Sequence, residues 1–310
     1  MVQQPPLQSL PPVDRTASIG VVAPASFARM ERIESGTRRL RALGFTPTFM
    51  PDAFEHGPLF FAGTPQQRIA DLHGAFADPA TQMVMCLRGG YGSNYLLRLV
   101  NLEVMRAHPK PFFAYSDLTG LQLHLLDRLG IPAFHGPMLA ADFYLEDGVH
   151  LDSFYASLGG EAYSVGSAQG LRAIKSGTAN GILYGGCLSI LVSLLGTPWE
   201  PQTEGKLLFI EDVGAKPYQI DRMLWQLRAA GKLGGVTGIV FGEMLDCASP
   251  GADPDLLEKV IANAFADFAG PIALGLRSGH VSRDNVTLTF GVAAELQVGE
   301  DARLSIANRT

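Results

Sequence analysis

The first 140 residues repeat one pattern that few folds accommodate. A short apolar run breaks at a turn of small or polar residues, and apolar positions then recur at helical spacing. The runs are ASIGVV, FTPTFM, TQMVMCL, PFFAY and IPAFH. Between them, residues 30–43 read as a helix ended by Gly44, and residues 64–78 as a helix with Thr64 as its cap and Pro65 in its first turn. Leu118, Leu121, His124 and Leu125 mark a third. Short strands alternating with helices imply βαβ units and a parallel sheet. In an open parallel sheet, chemistry gathers at the carboxyl ends of the strands. RGGYGS (88–93) and YSD (115–117) both follow strand ends, which places them on the same edge.

Residues 141–180 lose this rhythm and read as a connection between domains. From 181 the pattern changes. GKLLFIED and VTGIVFGEM are apolar strands, and PYQIDRMLWQLRAAG is an amphipathic helix with Ile220, Met223, Leu224 and Leu227 on one stripe. NVTLTFGVAAELQVGEDARLSI alternates and turns at Gly299, like antiparallel strands. The expected architecture is α/β: a parallel-sheet domain over 15–140 and a mixed α+β domain over 181–310. The proline-rich residues 1–14 are expected to be a disordered lead-in.

The net charge of −6, without a basic stripe, argues against nucleic acid and anionic membrane as partners. No run of 18 apolar residues suggests a membrane span, and the N-terminus lacks the charged and apolar regions of a secretory signal. Three widely spaced cysteines, Cys86, Cys187 and Cys247, do not form a disulfide framework, and a reducing cytoplasm is the simpler setting. No metal-ligand spacing is present, so no metal is expected. No cofactor is expected either: a dinucleotide fingerprint would need glycine where Tyr95 stands, and no Walker lysine follows.

Ser116 sits where strand becomes helix. A tight turn exposes Oγ and aims the amides of the helix start at a reacting carbonyl, as a serine nucleophile requires. A Ser-Asp pair before an apolar helix is equally ordinary N-capping. Catalysis needs a base and an orienting acid from elsewhere. Of the seven histidines, His135 and His280 occupy loop-edge positions suited to a site. His124 reads as packed, and His56, His108 and His150 as surface. Glu211 and Asp212 end an apolar strand, where carboxylates are costly unless partnered. The plain alternative is that the strand emerges into water there. Cys187, at a helix start, is a rival nucleophile, but its apolar neighbours favour a packed thiol.

CLRGGYGSNYLL, PFFAYSDLTGLQLHL, FHGPM, GGCLSILVSLLGTPW, GKLLFIEDVGAKPYQIDRMLWQLRAAG, GIVFGEM and SGH occur in that order. In this the chain resembles the LD-carboxypeptidases, the muramoyl-tetrapeptide carboxypeptidase family of serine peptidases, from about Ser18 to Leu304. The resemblance implies a flavodoxin-like first domain, an active site between the two domains, and a triad of Ser116, Glu211 and His280. It implies backbone oxyanion donors at Gly90 and Asp117, the Asp117 carboxylate capping its helix, and substrate contacts at Arg88, Gly89 and Tyr91. It implies release of terminal D-alanine from a cytoplasmic murein tetrapeptide at an L-to-D bond. A homodimer is expected. A relative of the family cleaves a microcin-type peptidyl nucleotide instead. Two departures stand out: LRSGH lacks the proline usual before GH, and Cys187 replaces a common asparagine. Strand alternation lets only one of Glu211 and Asp212 face His280, and the resemblance picks Glu211. Asp212 is expected to cap or pair near residues 216–222. An esterase, or a peptide-binding module without catalysis, stands as the alternative; the elbow from Ala114 to Leu118 lacks the glycines that flank the serine of an α/β-hydrolase.

Overall fold

The structure is a computed structural model and describes residues 5–248, 251, 253 and 255–309. The first sheet contains β1 (Ser18–Val22), β2 (Thr46–Phe49), β3 (Met83–Cys86), β4 (Phe112–Ala114) and β5 (Ala133–His135). They run parallel in the order β2-β1-β3-β4-β5. That is the flavodoxin-like order, with its switch point between β1 and β3. The helices are α1 (Met30–Ala42), α2 (Pro65–Ala77), α3 (Leu102–Ala107) and α4 (Thr119–Leu129). Thr64 opens α2 with a capping box: Gln67 N–H donates to its Oγ1, and Gln67 Oε1 accepts from its backbone N–H.

β3 shows why the sheet forms. Its four residues are wholly buried. Met83 and Met85 pack into one core and Val84 and Cys86 into another. A strand covered by helices on both faces must be apolar throughout, not alternating.

The later chain adds α5 (Leu151–Gly159), β6 (Tyr163–Val165), β7 (Arg172–Lys175), β8 (Gly177–Cys187), α6 (Leu188–Ser193) and β9 (Lys206–Glu211). There follow α7 (Pro217–Ala229), β10 (Gly238–Gly242), α8 (Leu256–Ala264), β11 (Ile272–Leu276), β12 (Leu288–Phe290), β13 (Ala293–Val298) and β14 (Ala302–Ile306). The second sheet has the order β6-β14-β13-β8-β9-β10-β11-β7. Its centre, β8 to β11, is parallel, and its flanks are antiparallel.

Three sequence expectations are corrected. Residues 141–180 are more than a connection: α5 buries Phe154 against the first sheet, and β6 and β7 form both edges of the second. The lead-in is not free over its described part. Leu10 and Val13 lie in the core, and Val13 N–H donates to Leu158 O at 3.0 Å. Residues 1–4 lie outside the described residues. Finally, β12 crosses the expected domain boundary and pairs antiparallel with β5, Leu288 opposite His135. Among the described residues no helix is long and apolar enough to cross a membrane.

Candidate active site

Both sheets deliver strand ends to one place. From the first, β4 ends at Ala114, and Ser116 opens a single 3-10 turn before α4. Ser116 has φ of 64°, the left-handed region that serine rarely occupies. Such a conformation costs on the order of 1–3 kcal/mol, and it turns the side chain out of the helix start. Ser116 is half-buried. Gly89 explains how the neighbouring loop comes so near: a Cβ there would stand 2.8 Å from Ser116 Cβ and 2.9 Å from its Oγ. Gly90 has φ of 111°, and a Cβ on it would lie 2.4 Å from Ser26 Oγ. Neither position tolerates a side chain.

Asp117 does not cap its own helix. Its Oδ2 accepts from Ser93 N–H at 2.8 Å, and Ser93 Oγ donates to its carbonyl at 2.6 Å. The carboxylate therefore ties the 88–93 loop to the turn that holds Ser116. Burial pushes Asp117 up, against the hydrogen bonds from Ser93.

From the second sheet, β9 ends at Glu211, which is wholly buried. Its Oε2 lies 2.7 Å from His280 Nδ1 and accepts from His280 backbone N–H at 3.1 Å. Gly279 permits this, since a Cβ there would fall 2.7 Å from Glu211 Cδ. Burial pushes the Glu211 carboxyl up, but the His280 ring, helped by His135, outweighs it and holds the group below its ordinary value. Burial likewise disfavours the His280 imidazolium, but Glu211, then Asp212 and Asp142, raise it above its ordinary value. The His280 ring sits 5.2 Å from that of Tyr115, the residue before Ser116. The structure thus brings Ser116, Glu211, His280 and the 88–91 loop into one region. Arg88 is exposed, its Nη2 3.4 Å from the Cβ point of Gly90, and Tyr91 is 42% exposed.

Other sequence candidates fall elsewhere. Asp212 does not pair near residues 216–222: it accepts from Ser189 N–H at the start of α6 and from Val213 N–H, both at 2.8 Å. Cys187 is buried, its thiol raised well above the ordinary value by burial first. His135 is not at a loop edge but wholly inside, at the end of β5. His150 is half-buried, and its Nδ1 accepts from Ser153 N–H as the cap of α5.

Two family models match the chain: the LD-carboxypeptidase N-terminal domain over residues 19–136 and the C-terminal domain over 180–296. A probable murein peptide carboxypeptidase of Bacillus subtilis (strain 168) is 35% identical, over 91% of this chain and 89% of that protein. The chain belongs to the LD-carboxypeptidase family. The murein tetrapeptide carboxypeptidase of Pseudomonas aeruginosa is 31% identical, over 94% of this chain and 95% of its own length. The crystal structure of an MccF-like protein from Bacillus anthracis str. Ames superposes with a TM-score of 0.88 at 25% identity, covering 96% of this chain and 99% of that one.

The candidate site also involves residues that the sequence did not point to. Asp142 accepts from Tyr115 Oη at 3.2 Å, Asn285 Nδ2 at 2.9 Å and Met138 N–H at 2.8 Å. Asn285 in turn accepts from Gly279 N–H at 3.0 Å. One buried carboxylate therefore links the residue before Ser116 with the residue before His280. Burial pushes it up to about 6. Arg68, 2% exposed, donates through Nη1 to Pro24 O at 2.7 Å and Gly92 O at 2.9 Å, fixing the glycine loop from below. Nothing local in the sequence announces either role. Each depends on chain segments more than 20 residues away. Among the described residues no group of three or more His, Cys, Asp or Glu could hold a metal ion.

Proposed function

We propose that this protein is a serine LD-carboxypeptidase that removes terminal D-alanine from murein tetrapeptides through Ser116, His280 and Glu211. The observation that carries the proposal is the buried Glu211–His280 hydrogen bond, set beside a serine in a left-handed turn. Glu211 accepts the hydrogen bond from Nδ1–H, which leaves the Nε2 lone pair of neutral His280 available for base work. His280 takes the Ser116 proton as Oγ attacks the carbonyl of the L-residue. The amides of Gly90 and Asp117 receive the oxyanion. His280 then returns the proton to the departing D-alanine amine, and a water activated by the same ring releases the acyl chain. Glu211 stays ionised throughout and stabilises the imidazolium.

Arg88 gives a reason for cleavage at a chain end. Its guanidinium is exposed beside the glycine loop, and among the described residues it has no ion pair, a suitable partner for a terminal carboxylate. Gly89 lets the substrate backbone approach, and Tyr91 offers an open ring next to it.

The test is incubation with a murein tetrapeptide and quantitation of free D-alanine, with a peptide ending in L-alanine as control. D-alanine should appear with wild type and not with Ser116→Ala. Release that persists in Ser116→Ala removes the nucleophile assignment. No release from the tetrapeptide, with cleavage of a microcin-type peptidyl nucleotide, would assign the other substrate known for the family.

A further inference from the structure

Behind the Glu211–His280 pair, two buried groups carry polar atoms that lack a hydrogen-bond partner among the described residues. They are both ring nitrogens of His135 and Oε1 of Glu211. Both side chains are 0% exposed. The His135 ring lies 5.2 Å from Phe209, 5.2 Å from Phe290 and 5.8 Å from Tyr115. Phe209 is two residues before Glu211 on β9, so the two share a face. Tyr115 also meets the His280 ring. His135 thus stands in the aromatic wall that carries the pair. Burial holds its imidazole at about 4, so at working pH it is neutral and one nitrogen bears a hydrogen.

An N–H and a carboxylate oxygen left unpaired in one apolar layer are costly, and native interiors satisfy such groups directly or through an ordered water. His135 and Glu211 feel each other's charge across the shared aromatic wall, and neither His135 nitrogen bonds Glu211 Oε1 directly, so a water between them would satisfy both. We propose that His135 is a positioning residue for the catalytic acid: its N–H donates to one buried water, and that water donates to Glu211 Oε1. Glu211 is then held by both oxygens, Oε2 by His280 and Oε1 by His135. Ser278 Oγ, in the loop that delivers His280, and Thr287 Oγ1, beside β12, are likewise wholly buried without a partner among the described residues. The inference rests on the Ser116–Glu211–His280 reading.

The consequence is a direction in pH. Without the bridge, Glu211 keeps its charge with one oxygen unsolvated and draws the proton of His280 more strongly. The other titratable groups facing the pair are Asp212 on β9, Cys187 at the end of β8, Cys247 after β10, Tyr115 after β4 and Asp142 beyond β5. All of them are retained in a His135 variant.

The experiment measures inactivation by a serine-directed fluorophosphonate across pH for wild type, His135→Phe and His135→Gln, with melting temperatures alongside. His135→Phe should react about 10- to 100-fold more slowly near neutrality, the loss expected of one hydrogen bond to a charged group. Its acid limb should move to higher pH. His135→Gln, which keeps a donor, should restore most of the rate and return the limb toward wild type. A His135→Phe profile that superimposes on wild type overturns the proposal, as does a His135→Gln variant no better than His135→Phe. If His135→Phe does not fold, His135→Met takes its place in the comparison. A wild type that is not labelled, or a Ser116→Ala variant labelled equally, sinks the triad reading and not the bridge.

Discussion

Ser116 is a residue held where its own backbone resists. The strain of its left-handed φ is stored in the fold and is released by glycine but not by alanine. Ser116→Gly should therefore be inactive yet melt higher than Ser116→Ala, by roughly 1 kcal/mol of stability. Equal melting temperatures would show the turn to be unstrained. Ser116→Ala and His280→Ala should each lower turnover by several powers of ten, and the double variant by little more, because triad members act as a unit. Glu211→Gln should cost on the order of 10⁴ in turnover with little change in melting temperature. Asp212→Asn should retain turnover and lose about 1 kcal/mol as a weakened start to α6. Reversal of those two outcomes would mean that the other carboxylate serves His280. The pH profile follows from charge. His280 must be neutral to act as base, and its carboxylate neighbours raise it above 6.5, so kcat/KM should fall with acid from a midpoint above that value. Glu211→Gln removes the first of those carboxylates, and the midpoint should drop as the rate falls.

At the scale of elements, legibility followed locality. β1 to β5 were readable because a strand buried on both faces is an apolar run, and β3 is the clearest case. The start of α2 was readable from Thr64 and Pro65 alone, while the return bond from Gln67 that completes its capping box was not singled out. Ser116, Glu211 and His280 were singled out because a strand-turn-helix serine and an acid ending a buried strand are local signals, and the family resemblance joined them. Asp142 was not readable, since its value lies in three partners from separate segments. Replacing it by leucine should strand the Met138 N–H and Asn285 Nδ2, at about 1–3 kcal/mol for each buried group. It should also loosen both Tyr115 and Gly279. Turnover and melting temperature should fall together in Asp142→Leu, whereas an independent site would lose only stability. His135 misled for a related reason: a histidine that ends a strand looks exposed until another strand covers it, and β12 supplies that cover from 150 residues further on.

At the scale of the whole molecule, the family models and the two sheets agree on two halves, but the chain does not respect the seam. The first core takes Leu10 and Val13 from the N-terminal segment and Phe154 from α5. Arg309 closes the far end: its Nη1 donates to Ser157 O at 2.9 Å, and its Nη2 reaches Leu10 O and Leu158 O. Deleting residues 1–13 should therefore lower the melting temperature by several degrees through the lost burial of Leu10 and Val13, with the pH dependence of turnover unchanged. A free lead-in would give no shift.

The exchange of β12 into the first sheet bears on how relatives of this protein can recombine. β5 carries its backbone pairing partner in trans along the chain, with Ala133 opposite Phe290 and His135 opposite Leu288. A chimera joined anywhere between these strands inherits an open sheet edge from one parent and its cover from the other. Unmatched, that edge offers unpaired amides to any passing strand. Crossovers that swap the two strands together should yield soluble hybrids, and those that split them should aggregate, whatever the quality of the remaining junction.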